Sequence, residues 1–430
     1  MENKEYIHAK ITIPELKDKD FNGFIYRNGK ETYITFNEIP YPDNTWKAID
    51  VLYANTGEKF YTGIHCSVFT YGHSEMKYLI SEFYEGKLPG NSNDTYFEKL
   101  TAEVFFLNQW LRPKQIEYKS VSDPYLIAVY GNKNKPYSFA INSNITLIIE
   151  GYIKFSTRYD EVVINEKSFL SLVSEKKISR SELFFKFYYF LIFFVLFCKR
   201  VPRTINLSFY TESEEFKLLG LHTQGDKSDF ITLLNFNDLT NLDIVLLRYY
   251  NNAETYGEVI QLLEKSLEMA NQEVCFLHLT QALELLHKTR FENDKAIEEQ
   301  IAKEVDSSFR PQQKSKRWNQ LMRYYHFYQL SIKLDLNINF QGDHIEFLRR
   351  LRNSRNYYTH YDKKGYVWKY MELYPVNNIL MTWLRSMILY DLSVEPAKIK
   401  KSVRMEMKSF REENIFENPF SMRYKNYFSK

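Results

Sequence analysis

The sequence predicts an α+β chain: a β-rich N-terminal part, sandwich-like or barrel-like, that holds a buried hydrophobic helix, followed by an all-α bundle. Three observations carry this. Over about the first 150 residues, short apolar runs alternate at period two between turn signals. One unbroken apolar run, Leu183–Cys198, interrupts that pattern. From about Leu242 the apolar period becomes 3.6. The expected division is 1–241 and 242–430.

In chain order, Tyr6–Ile13 alternates as a strand. Gly23–Tyr26 and Thr32–Phe36 read as a hairpin, because Asn28-Gly29 supplies the positive φ angles of a tight turn. Strands are expected near Thr62–Thr70 and Leu126–Tyr130, and a strand pair at Ile145–Ile149 and Tyr152–Phe155, joined by Glu150-Gly151. Phe97–Leu111 fits a strand or an amphipathic helix. The Leu183–Cys198 run has sixteen residues and includes Lys186. That is short of the roughly 20 needed to span a bilayer, so a buried helix capped by Ser181 is expected, with a membrane-dipping segment as the alternative. Strands at Thr204–Tyr210 and Phe230–Phe236 close this part.

The helical part begins with Tyr256–Ala270 and Glu273–Phe291. In the second, Phe276, Leu279, Ala282, Leu283 and Leu286 share an apolar face. An acidic, polar segment, 292–306, follows. A helix over Ser315–Leu330 comes after Pro311. Asp343 and Glu346 form the letters of a capping box ahead of the next helix. A last helix spans Val376–Leu392 and ends near Pro396, with a basic, partly ordered tail beyond Lys398.

Composition narrows the function. From Ser307 to Lys430 there are 23 Lys and Arg against 11 Asp and Glu, a net of +12. The whole chain is only +3, so the first 306 residues carry −9. A basic C-terminal third suits a polyanion such as RNA; a solvated Lys-rich surface is the plainer account. The three cysteines, Cys66, Cys198 and Cys275, are far apart and lack metal-ligand spacing. A reducing cytoplasm fits them, and the polar start, Met1–Lys10, does not read as a signal peptide. Gly-rich phosphate loops, paired catalytic carboxylates and a Gly-x-Ser-x-Gly elbow are not found.

The stretch Arg349–His360 concentrates the chemistry. At 100° per residue, Leu348, Leu351 and Tyr358 form a packing stripe. Arg352, Asn356 and His360 make a row along its border. Arg355 sits on the core side of that border, where a charge needs a partner carboxylate, a phosphate or a facing subunit. A histidine can move a proton to or from a ribose oxygen, an arginine can bind phosphate oxygens, and an asparagine can hold either group. Such a set cleaves RNA without metal or cofactor. One histidine is a thin inventory, which a homodimer would double. A surface helix of acid-paired arginines would give the same letters. His278 and His287 lie on opposite faces of one helix. His326, within Arg323–Tyr328, stands in an aromatic and basic mixture that could stack bases, although helix packing explains it as well.

Ser354-Arg355-Asn356-Tyr357-Tyr358-Thr359-His360-Tyr361-Asp362 resembles the signature of HEPN domains. The Arg-Asn followed by Thr-His-Tyr-Asp resembles the ApeA-like branch, as does the upstream helix with Gln281-Ala282-Leu283-Glu284. The β-rich start followed by a hydrophobic helix is similar to the N-terminal domain of that branch. The resemblance implies an α-helical C-terminal domain that dimerises and cuts RNA without metal, in bacterial defence against phage. Matched by position, it implies catalytic roles for Arg355, Asn356 and His360 and a supporting one for Glu284. Arg349, Arg352 and Lys363 are the basic residues expected to hold RNA beside them. The expected partners are tRNA or another cellular RNA, a second copy through the helical part, and a phage-derived trigger at the N-terminal part, with no membrane. The competing readings are a non-catalytic RNA- or protein-binding module and a membrane-associated protein using 183–198.

Overall fold

The computed structural model describes residues 6–17, 19–28, 31–43, 46–71, 76–89, 95–111, 116–120, 127–131, 136–158, 161–220, 232–291, 316–336, 344–361 and 366–412. The chain divides into two compact units, Met1–Tyr188 with Pro202–Asp229, and Tyr189–Val201 with Phe230–Lys430.

The first unit is built on strands β1 (Tyr6–Thr12), β2 (Asp20–Asn28), β3 (Glu31–Phe36), β4 (Ile49–Asn55), β5 (Phe60–Tyr71), β6 (Met76–Glu85) and β7 (Tyr96–Val104). A short helix, α1 (Leu107–Leu111), follows. Then come β8 (Ile116–Ser120), β9 (Ile127–Gly131), β10 (Tyr137–Ala140), β11 (Ile145–Arg158) and β12 (Glu161–Ser179). β13 (Thr204–Tyr210) and β14 (Glu215–Leu219) complete it.

All pairings are antiparallel. The order β6-β3-β2-β1-β4-β5 closes on itself through β5–β6, making a six-stranded barrel. Period-two alternation explains the closure: Ala9, Ile11, Phe21, Ile25, Ile34, Phe36, Leu52, Cys66 and Tyr78 point inward and form one core. Gly23 is required there, since a Cβ would lie 2.0 Å from the Thr35 carbonyl oxygen. On the other side the sheet extends from β6 through β14, β13, β7, β12 and β11 to β10.

Most strand expectations hold in place. The 2–3 hairpin forms with Asn28 opposite Glu31. Phe97–Leu111 is both things at once, β7 and then α1. Two expectations are corrected. Ile145–Phe155 is not a strand pair: β11 runs straight through Glu150-Gly151, because β12 pairs with it continuously from Ile145 to Arg158. The described part of Phe230–Phe236 holds no strand: residues 232–235 are irregular and Phe236–Asp238 is a 3-10 turn, held by the Asn235 N–H donating to Asp238.

The hydrophobic run forms α2 (Arg180–Phe193) and α3 (Val195–Cys198). Ser179, not Ser181, caps α2, accepting from the Glu182 N–H at 3.2 Å. Burial is complete only from Phe190 to Cys198; Phe184 and Phe185 are exposed. Among the described residues, Arg180–Cys198 alone is long and apolar enough to cross a membrane, and most of it is buried inside the molecule.

The second unit holds α4 (Leu242–Asn251), α5 (Ala253–Glu268), α6 (Gln272–Leu286), α7 (Lys316–Lys333), α8 (His344–His360), α9 (Tyr370–Asp391) and α10 (Pro396–Glu412). Asn271 caps α6 by accepting from the N–H groups of Glu273 and Val274. α6 then widens into a π-helical turn, His287–Phe291. α9 starts six residues earlier than expected and carries Pro375 inside it. Leu373, Val376 and Leu380 are all fully buried, and that packing offsets the one backbone bond a proline removes. Pro396 opens α10 instead of closing the fold, since its fixed φ suits a first helical position. The buried Ile399, Ser402, Val403 and Glu406 give that basic segment an inner face. Asp343, the 292–306 segment and Pro311 lie outside the described residues.

Candidate functional site on helix α8

α8 takes its orientation from Leu348 and Leu351, which are fully buried as the wheel requires. Ser354, which the wheel did not single out, is buried too. Its Oγ accepts the Trp368 N–H at 3.0 Å, and the Tyr358 hydroxyl donates to the Trp368 carbonyl at 2.7 Å. Trp368 itself is buried against Phe276 and Phe347. The chain after α8 is therefore stapled back along the helix that carries the motif.

Arg355 is the best-held side chain of the motif. Its Nε lies 3.0 Å from Glu284 Oε1, and its Nη2 donates to Oε2 at 3.1 Å. Glu284 sits on α6, so a two-pronged ion pair joins the two helices. Arg355 is 17% exposed and Glu284 14%. The Tyr324 hydroxyl, from α7, donates to the same Oε1 at 2.9 Å. Tyr324 is fully buried, and burial, then the Glu284 charge, hold its hydroxyl far above the usual tyrosine range. The expensive arginine of the wheel is thus partnered within its own chain. Its placement no longer requires a second subunit.

Asn356 and His360 behave differently. Among the described residues neither side chain has a hydrogen-bonding or ionic partner. His360 is exposed and ends the helix. Tyr361 follows in the left-handed region (φ 56°), its N–H returning to the Tyr357 carbonyl. From Arg355 to His360 the helix rises about 7.5 Å and turns about 140°, so the two side chains leave it on different sides.

The basic residues fall into two sets. Arg349 and Arg350 face Glu346, at 3.9 and 2.9 Å, and Arg350 also lies over the Tyr366 ring at 4.6 Å. Arg352 donates to Asn353 at 3.1 Å. Lys363 lies outside the described residues. The capping-box acid Glu346 is therefore engaged with arginines one turn on.

Other histidines are accounted for by packing. His287 Nε2 lies 3.2 Å from His326 Nδ1, with Phe291 and Phe327 edge-on around the pair. Burial, then the His326 and Arg323 charges, push His287 down to about 3. Tyr324, Tyr325, His326 and Phe327 are all buried, so this aromatic run is core. Cys66, Cys198 and Cys275 are free and buried, and burial pushes the Cys275 thiol up to about 12. Among the described residues no cluster of three or more His, Cys, Asp or Glu could hold a metal ion.

Sequence reasoning placed Glu284 beside the motif only by resemblance. It missed Tyr324, whose hydroxyl completes the carboxylate's contacts, and Trp368, whose backbone ties to both Ser354 and Tyr358. A buried tyrosine on the preceding helix, one of 34 in the chain, carries no spacing signal.

Comparison with known proteins agrees with this geometry. No curated protein and no solved structure matches the chain. A family model described as Apea-like HEPN matches residues 277–398. That span takes in the Glu284 helix from Leu277 onward, α7, α8 and α9, and so contains the Arg355–Glu284 pair and the open Asn356 and His360. Residues 277–398 of this chain are a HEPN domain of the ApeA-like family.

Proposed function

We propose that the chain is a metal-independent endoribonuclease that cuts tRNA or another cellular RNA as an effector of anti-phage defence. The observation that carries this is the contrast within one helix. Arg355 is locked by Glu284, while Asn356 and His360, one and five residues further on, stand open. A fixed arginine with N–H groups left over is preorganised to receive phosphate oxygens as charge builds on them. The ribose 2′-hydroxyl attacks the adjacent phosphorus, the P–O5′ bond breaks, and the products are a 2′,3′-cyclic phosphate and a 5′-hydroxyl. His360 takes the 2′ proton or delivers one to the leaving oxygen. A homodimer through the helical part would bring a second histidine. Arg349, Arg352 and Lys363 are proposed to hold the RNA strand, in the cytoplasm.

Residues 1–241 are proposed as the sensing and restraining part, with a phage-derived trigger. Their support is charge: they belong to the acidic portion of the chain.

The test is incubation with tRNA and total RNA in EDTA. Cleavage leaving cyclic phosphate ends, lost in Arg355→Ala and His360→Ala, is expected. Intact RNA with the wild-type chain, under conditions where it binds RNA, would instead favour a non-catalytic binding module. The completeness of the Arg355–Glu284 pair is what keeps that second reading in play, because it is also what a structural arginine looks like.

A further inference from the structure

We infer that the solvent face around the C-terminal end of α8 is a stacking site for unpaired bases of single-stranded RNA, with Tyr361 as its platform; the choice of RNA rests on the ribonuclease reading above. Tyr361 is 80% exposed and directly follows His360. Its left-handed backbone and the N–H bond to Tyr357 fix where the ring leaves the helix. The Tyr357 ring meets it edge-on, with centroids 6.1 Å apart, and Tyr357 in turn meets Tyr358 edge-on at 5.1 Å. Tyr358 is anchored to the Trp368 carbonyl. An exposed ring is thus buttressed, through two others, on a rigid element. Such a ring loses little freedom when a base stacks on it.

The surroundings select a polyanion. By its own sequence α8 carries four arginines, Arg349, Arg350, Arg352 and Arg355, and one carboxylate, Glu346, so the helix is net positive. Arg350 over the Tyr366 ring adds a cation–ring pair on the segment stapled back along α8. Arg350 and His360 are ten residues apart, about 15 Å along the helix. Bases inside a duplex are already stacked and cannot use such a platform, so the site discriminates strandedness and tolerates sequence.

The experiment is fluorescence anisotropy on the full chain, with a labelled twelve-residue oligoadenylate carrying 2′-O-methyl at every ribose. That strand has no 2′-hydroxyl, so it reports binding without cleavage. The matching methylated duplex is the comparison. Tyr361→Ala is expected to weaken single-strand binding about tenfold, Tyr361→Trp to retain it, and duplex binding to stay unchanged by either. Equal single-strand affinity in Tyr361→Ala overturns the proposal. So does a variant that binds RNA normally but shows a lower mass by light scattering, which would assign the ring to contact with a second copy. If the methylated strand binds through Tyr361 while unmethylated RNA stays intact, the stacking site stands and the ribonuclease reading fails. If RNA is cut and Tyr361→Ala is silent, the reverse holds.

Discussion

The Glu284 carboxylate grips the Arg355 guanidinium through both of its oxygens, Nε at 3.0 Å and Nη2 at 3.1 Å, and takes a third bond from Tyr324. The three residues come from α6, α8 and α7, so one polar knot sets the mutual position of three helices. Removing its centre strands two groups at once. Glu284→Ala is expected to destabilise the chain by about 3 kcal/mol, because a mostly buried guanidinium and a buried hydroxyl both lose their partner. Tyr324→Phe loses only a donor and should cost about 1 kcal/mol. Urea unfolding of both variants checks this. Equal midpoints for wild type and Glu284→Ala would show the knot to be ornamental.

The burial of His287, and then the neighbouring His326, set a pH dependence. His287 titrates near 6.5 when unfolded and near 3 in the fold, so across that interval the unfolded chain binds a proton that the folded chain refuses. Its contribution is constant above about pH 6.5 and is lost as pH falls toward 3, by at most about 1.4 kcal/mol per pH unit. Thermal midpoints measured from pH 7 to pH 5 should fall more steeply in the wild type than in His287→Phe. Parallel curves would refute it.

A buried ion pair closes the end of the second unit. Arg385 on α9 and Glu406 on α10 are bonded to each other and almost fully buried, and Lys199 reaches Glu406 at 2.7 Å. Glu406→Ala leaves an uncompensated buried charge and should cost about 3–5 kcal/mol. Replacing Arg385 and Glu406 together by Met and Leu should recover most of that loss. A double-mutant cycle by denaturant unfolding reads both outcomes.

Ser354→Ala tests the staple behind the motif. The Trp368 N–H is buried and its acceptor is the Ser354 hydroxyl. Its removal should cost about 1–3 kcal/mol and raise hydrogen exchange at residues 366–369, while leaving the Arg355–Glu284 pair in place. Unchanged exchange there would show that Tyr358 alone holds the segment.

The sequence carried the strand alternation and the α8 wheel well, because each is a local periodicity that one core face imposes. Leu348 and Leu351 had to be inside, and they are. What stayed hidden was long-range. Nothing local says that β12 will accompany β11 along its whole length, so Glu150-Gly151 looked like a turn. Nothing local says that Pro396 starts a helix when its inner face is completed by Arg385 on another. The site divides the same way. Arg355, Asn356 and His360 are one helix and were legible as a set. The partner of Arg355 lies 71 positions upstream, and its partner lies 40 positions from that, so the knot exists only after folding.

Strand β6 has a consequence for synthesis. One edge of it pairs with β3 as far as Ile80, then with β14 from Phe83 to Glu85. The barrel partners are all made by residue 85, but β14 is residues 215–219. At typical ribosomal rates that gap is roughly ten seconds. Throughout it, a finished barrel presents a short stretch of open β edge at Phe83–Glu85, a docking strip that the nascent chain itself must later fill.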